Sequence, residues 1–325
     1  MLKDGISVII CCYNSGWIIS RCLEALKLQK VRDGLLWEIL LVDNNCSDDT
    51  VGKAAATMTG SAVDFRIVKE PSPGLLNARK RGIEEARYSY TIFCDDDNLL
   101  CPVYIDTMYE ILSSDSKIGA AGGKGIAEFE CEPDIRILKH IRGYAIGSQM
   151  GSKEYLFGAG LAIRTDVTRD IYKNQTMYLT GRMRNKLLAG DDTELTMAIQ
   201  LRGYSLYPTD NISFVHVLRK KRLSWEYYQQ MDAGFKRSDP AIMAMRGALM
   251  NKSFFHSCVT GYIIAIYLFL RYLILFRKED ASAIRHSNST RISNFHAWGL
   301  GTLKKIHSQW TMIRKSNKTD IISSL

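Results

Sequence analysis

Proline is scarce in this chain, 6 in 325 residues, and with 24 glycines it excludes collagen-like and low-complexity compositions. The eight cysteines form no C-x-x-C pair and mostly sit in apolar runs such as SVIICC and TIFC. That pattern predicts reduced, buried thiols and a cytosolic setting. No G-x-x-x-x-G-K-[ST] is present, so the glycines at 122–125 are no P-loop, and no G-x-G-x-x-G follows the first apolar run, which argues against a dinucleotide oxidoreductase. A hydrolase nucleophile of the G-x-S-x-G type is missing too. The first apolar run starts after Asp4 and lasts only from Ile6 to Cys12, too short for a secretory signal. Internal repeats are absent.

What is present is a globular composition, 46% hydrophobic and 24% charged. The length predicts a main domain of about two hundred residues plus an appendage. The net charge of +9 is unevenly placed. Residues 1–215 carry 25 Lys and Arg against 28 Asp and Glu, whereas the last 110 carry 18 against 6. A cationic C-terminal segment favours an anionic partner such as a phospholipid surface or a lipid-linked phosphate. No aromatic-and-basic recognition motif accompanies it, so nucleic acid is not expected.

The first hundred residues alternate short apolar runs with helical patterns. ISVIICC (6–12), EILLV (38–42), FRIV (65–68) and YTIFC (90–94) predict buried strands, being continuously apolar and too short for helices. Helices are expected over Gly16–Leu28, after an N-cap at Ser47, and over Leu75–Ala86. This order predicts a parallel α/β sheet, whose ligands bind at the carboxyl ends of the strands. Tyr13-Asn14, Asp43-Asn44-Asn45 and Asp95-Asp96-Asp97-Asn98 follow such strands and should meet along one edge.

Further on, the glycine-rich stretches 119–125 and 157–164 are expected to let a ligand approach the backbone. A helix should open at Asp191-Asp192, and two separate strands, SLYP and ISFVHV, should follow. Ser257–Phe276 is a twenty-residue apolar stretch with one charge, Arg271, bracketed by Lys252 and by Arg277-Lys278. Asn294–Arg314 reads as a cationic amphipathic segment carrying Trp298, Leu303, Ile306, Trp310 and Ile313.

Three consecutive carboxylates repel one another unless a cation offsets them, so Asp95, Asp96 and Asp97 point to Mg²⁺ or Mn²⁺, against the alternative of a solvated helix-capping turn. Asp43 suits either a nucleotide ribose or base, or a local loop cap. Arg79 shares its helix with other basic residues, and its fork of donors suits a diphosphate. Asp191 and Asp192 begin a helix, where capping explains one of them and a general base for a hydroxyl the other. His216 ends an apolar strand, as a structural histidine or as part of a carboxylate-bound metal site.

In order, SVIICCYN, LLVDNNCSDDT, GLLNARKRGI, FCDDDN, FGAGLAIR, GDDTEL and FVHV resemble the family 2 glycosyltransferases, inverting enzymes of the GT-A fold, over about residues 5–220. The resemblance implies a nucleotide-sugar donor, commonly a UDP-sugar, with Mg²⁺ or Mn²⁺. It implies that Tyr13, Asn14 and Asp43 hold the nucleoside and that Arg79 lies near the diphosphate. Asp95 and Asp97 match the family's D-x-D around Asp96, with Asp97 as a direct metal ligand, and His216 matches an additional one. Asp192 matches the catalytic base, and Asp191 stands where Glu is usual. Lys80 stands where Asn often follows the Arg.

The expectation is therefore an α/β GT-A catalytic domain over 1–225 and a basic helical extension over 226–325. Within the first, about 1–100 would bind the nucleotide and 101–225 the acceptor. The enzyme would act at the cytoplasmic face of the cell membrane, anchored or peripheral through its C-terminal segment, on a glycan or polyprenyl-linked acceptor. The alternatives are a sugar-nucleotidyltransferase and an inactive nucleotide-sugar or glycan binder.

Overall fold

A computed structural model describes residues 2–152, 154–182, 189–275 and 279–323. The apolar runs of the first hundred residues become β1 (Lys3–Cys12), β2 (Trp37–Asp43), β3 (Asp64–Lys69) and β4 (Tyr88–Asp95), separated by α1 (Ile19–Lys27), α2 (Thr50–Met58) and α3 (Leu75–Glu85). β1, β2 and β4 are buried almost throughout because helices cover both faces, whereas β3 is half-buried at the sheet edge. The chain continues through β5 (Asn98–Leu100), α4 (Tyr104–Ser114), β6 (Ile118–Phe129), α5 (Ile135–Leu138), β7 (Leu161–Arg164), α6 (Thr165–Asn174), α7 (Asp191–Leu201) and β8 (Ser205–Leu218). After it come α8 (Trp225–Leu249), α9 (Thr260–Leu275), α10 (Glu279–Trp298) and α11 (Leu300–Ser323).

The strands form one sheet in the order β3-β2-β1-β4-β7-β6-β8-β5. β3, β2, β1 and β4 run parallel; β7 is antiparallel between β4 and β6, β6 and β8 are parallel, and β5 is antiparallel to β8. Register aligns the carboxyl ends: Cys12 lies opposite Asp43, and Cys11 opposite Asp95. Alternation along β1 sends Ile6, Val8 and Ile10 to a core shared with Leu23, Leu26, Tyr104 and Ile105, and Ile9 to the opposite core with Ala78, Ile83, Leu195 and Trp310.

The structure corrects several expectations. Ser47 is not an N-cap: α2 starts at Thr50, whose backbone N–H donates to Asp48. SLYP and ISFVHV are one strand, β8, with a register shift against β6 between Gly122 and Lys124. The glycines of 119–125 admit protein rather than ligand: a Cβ on Gly119 would strike Ile199 and Tyr204, on Gly123 Tyr104, and on Gly125 the Ala145 carbonyl oxygen at 1.9 Å. Asn294–Arg314 is split between α10 and α11 at Gly299, whose φ is +71°. Its apolar residues Leu303, Ile306 and Trp310 are buried in the protein core with Ala241, Ala244 and Met245 of α8. Of the apolar stretch at 257–276, Thr260–Leu275 is helical after a π turn at Phe255–Val259, while Phe276, Arg277 and Lys278 lie outside the described residues.

Gly125 also exchanges backbone hydrogen bonds with Gly147, at 3.3 and 2.9 Å. Gly125→Ala should push these two segments apart and cost about 1–3 kcal/mol, read as a lowered denaturation midpoint.

Candidate functional site

The site begins with a buried guanidinium. Arg79 lies on the inner face of α3, about 4% exposed. Its Nη1 donates to Asp191 Oδ2 at 2.6 Å, its Nη2 lies 3.7 Å from Asp95 Oδ1, and the group sits 5.0 Å from the Phe93 ring centroid. One side chain thus joins the end of β4 to the start of α7, 112 residues away in sequence from Asp191. Desolvation works against its charge, but Asp191 and Asp95 outweigh that and keep Arg79 protonated.

Gly158, in the loop before β7, lies against this pair: a Cβ there would come within 2.7 Å of Arg79 Nη2 and 3.1 Å of Asp192 Cβ. Its backbone N–H donates to Asp192 Oδ2 at 3.0 Å, and the Thr193 N–H donates to Oδ1 at 2.7 Å. At Gly158, as at 119–125, it is protein that approaches the backbone rather than a ligand, here the side chains of Arg79 and Asp192. Burial and the adjacent Asp191 push the Asp192 carboxyl up to about 6.

At the end of β4 the three carboxylates have different partners. Asp96 is half-buried and accepts from the Ser15 hydroxyl; burial and repulsion by Asp97 push it up to about 7. Asp97 Oδ2 accepts from Arg222 Nη1 at 2.7 Å, and Oδ1 lies 3.3 Å from His216 Nε2. Desolvation opposes ionisation of Asp97, but His216 and Arg222 hold its carboxyl well below the usual range. His216 reaches this point because β8 pairs with β5, placing it opposite Asn98. Its Nδ1 lies 2.8 Å from the Tyr144 carbonyl oxygen, which assigns Nδ1 as donor and turns Nε2 toward Asp97. Exposed Arg182 adds positive charge facing all three acids.

The nucleoside side of the edge is less enclosed. Asp43 is 9% exposed, and its Oδ1 accepts from the Cys46 N–H at 2.9 Å. Asn14, at φ 56°, accepts from the backbone N–H groups of Ser47 and Asp48, so it shapes the loop after β2. Tyr13 is half-exposed beside it. The structure thus brings Asp43, Arg79, Asp95, Asp96, Asp97, Asp191, Asp192 and His216 to one side of the sheet through the register and contacts above. Tyr13 and Asn14 sit on the same edge.

Sequence reasoning missed Arg222, Ser15, Tyr144 and Glu194. Arg222 looks like the end of a basic run, RKKR, yet it is 5% exposed, and its Nε and Nη2 are buried without a hydrogen-bond partner. Only its spacing from His216 hints at a shared site. Glu194 accepts from the N–H groups of Tyr178 and Leu179, holding the segment that carries Arg182.

Family 2 implies a divalent cation. Among the described residues no three His, Cys, Asp or Glu side chains close around a common point. The donor types are those of a hard ion, since Asp96 and Asp97 repel each other and His216 Nε2 lies 3.3 Å from Asp97, but Arg222 Nη1 sits 2.7 Å from Asp97 Oδ2 and 3.2 Å from His216 Nε2, so a cation held by these groups would take the place of that guanidinium.

The sequence profile of Glycosyl transferase family 2 matches residues 7–171, half of the chain, so the chain belongs to this family. The putative glycosyltransferase EpsH of Bacillus subtilis is 29% identical over 110 residues, a match spanning 33% of this chain and 30% of that protein. The mannosyltransferase PcManGT of Pyrobaculum calidifontis, solved with GDP-Man and Mn²⁺, is similar in fold at TM-score 0.55 and 14% identity, over 99% of this chain and 87% of that one. TarS 1-349 of S. aureus, solved with UDP-GlcNAc, reaches 0.52 at 13% identity, over 94% and 92%. These likenesses show a GT-A fold, as the sequence predicted.

Removing one partner of a buried ion pair strands the other charge, at a cost of about 3–5 kcal/mol. Asp191→Ala should fall at the low end, because Asp95 still faces Arg79; urea denaturation of the variant checks this.

Proposed function

We propose that the protein is an inverting glycosyltransferase that transfers a sugar from a nucleotide-sugar donor, a UDP-sugar in the first instance, to a hydroxyl of a glycan or lipid-linked glycan. It would work at the cytoplasmic face of a membrane. The observation that carries this reading is the Arg79 bridge, which holds the Asp191-Asp192 pair beside the D-x-D of Asp95 and Asp97. The donors bound to PcManGT and TarS support a nucleotide sugar as substrate.

Each group has a task that its surroundings suit. Tyr13 offers an exposed ring on which a base can stack. Asp43 has one oxygen anchored by Cys46, leaving the other for a ribose hydroxyl. Asp95, Asp97 and His216 Nε2 are the residues that would hold Mg²⁺ or Mn²⁺, which when bound offsets charge on a diphosphate. Arg222 and Arg182 add fixed positive charge toward the same place, where the leaving nucleoside diphosphate becomes more anionic.

Asp192 is the base. Asp191 is committed to Arg79 and buried, whereas Asp192 is only partly buried, is oriented by two backbone N–H groups, and has its carboxyl raised toward neutrality. It takes the proton from the acceptor hydroxyl as the oxygen attacks the sugar C1 opposite the departing diphosphate. One displacement inverts the anomeric centre.

Asp192→Asn should lower kcat for transfer by about 10²–10⁴-fold while donor binding, measured by calorimetry, stays within a small factor. Full turnover in that variant would overturn the assignment. Because a base must be unprotonated, wild-type kcat should fall as pH drops below about 6 and level off above it, and a profile rising only at alkaline pH would contradict this.

A further inference from the structure

α9 is apolar around its whole circumference. Its sequence, TGYIIAIYLFLRYLIL, has one charged residue, Arg271. In a protein surrounded by water such a helix should be covered on all sides, yet among its described side chains only one flank is. There, Cys258 of the preceding π turn and Ala265 are fully buried, the Tyr262 ring lies 5.3 Å from that of Phe295 on α10, and Met243 of α8 closes over Gly261. On the other flank Ile263, Ile264, Tyr267 and Leu270 are 47–59% exposed, and Phe255 in the π turn is 63% exposed. The spacing i, i+1, i+4, i+7 makes the first four one stripe along the helix.

The charge around the stripe distinguishes its possible occupants. Lys252 and His256 are exposed where the stripe begins, Arg277-Lys278 follow in sequence, and the last 110 residues carry 18 basic against 6 acidic side chains. A second copy docked stripe to stripe would bring two such cationic segments together, which like-charge repulsion opposes. An anionic lipid surface accepts apolar side chains and basic flanks together. Among the described residues no helix is long and apolar enough to cross a membrane.

We propose that the outward stripe of α9 lies in the plane of an anionic bilayer, seating the catalytic domain on the membrane face. This rests on the reading that the enzyme works at a membrane, and it names the surface that meets it. α11, which the sequence offered for the same role, has its apolar face in the protein core.

The test is flotation of the full chain with phosphatidylcholine vesicles and with the same vesicles carrying phosphatidylglycerol, at low and high salt. Ile263→Glu/Tyr267→Glu and the single Tyr267→Glu are compared with wild type, after equal thermal unfolding has shown that each is folded. Wild type should float with the anionic vesicles and release at high salt, and the double variant should float about tenfold less. Donor hydrolysis in detergent-free solution should be the same in all three, so a failure of the catalytic reading would appear there and not in flotation. Equal flotation of wild type and double variant, or none by wild type, would overturn the proposal. So would a wild-type dimer in solution that the double variant converts to monomer, since a second copy would then cover the stripe.

Discussion

The site depends on one buried cation. Arg79 sits where two parts of the chain must come within hydrogen-bond distance, and its charge makes it tolerable to bury Asp191 and to place Asp95 nearby. Three or four carboxylates gathered at a sheet edge would otherwise repel one another, and burial would drive them to the protonated state. Around the guanidinium the other acids differ with their own surroundings: burial and Asp191 raise the Asp192 carboxyl, burial and Asp97 raise Asp96 further, and His216 and Arg222 hold Asp97 down against its desolvation.

Asp97, His216, Arg222 and Tyr144 form a second such arrangement. Tyr144 accepts at its carbonyl from His216 and donates its hydroxyl to the Arg222 carbonyl, so one residue from the 131–147 segment sets the orientation of both neighbours of Asp97. The pairing of β5 with β8 makes this possible, because it lays the strand that follows the D-x-D antiparallel to the strand that ends near His216. Sheet register here does chemical work: a shift by one residue would turn His216 to the opposite face.

The C-terminal helices divide between two environments. Ala241, Ala244 and Met245 of α8 and Leu303, Ile306 and Trp310 of α11 join the same core as residues of β1, α3 and α7. α9 presents an apolar flank, Ile263, Ile264, Tyr267 and Leu270, that the protein does not cover. Its composition suits lipid, and its charge surroundings suit an anionic one.

Local sequence determined the strands and the helices that alternate with them, because a run such as ISVIICC has no other low-energy fate than a strand buried on both faces, and the strand ends carried the acids where a parallel sheet binds ligands. The ordered motifs were enough to identify the family. Tertiary structure alone decided the rest. Arg79 competed on paper with Lys80, Arg81 and Arg87, and only its placement on the inner face of α3 singled it out. Arg222 was hidden in a basic run, the glycines of 119–125 turned out to accommodate neighbouring side chains and backbone, and the amphipathic face at 303–310 found a protein partner instead of a lipid one. These outcomes depend on which surfaces meet across long separations in the chain, and periodicity reports only that a face is apolar, not what will cover it.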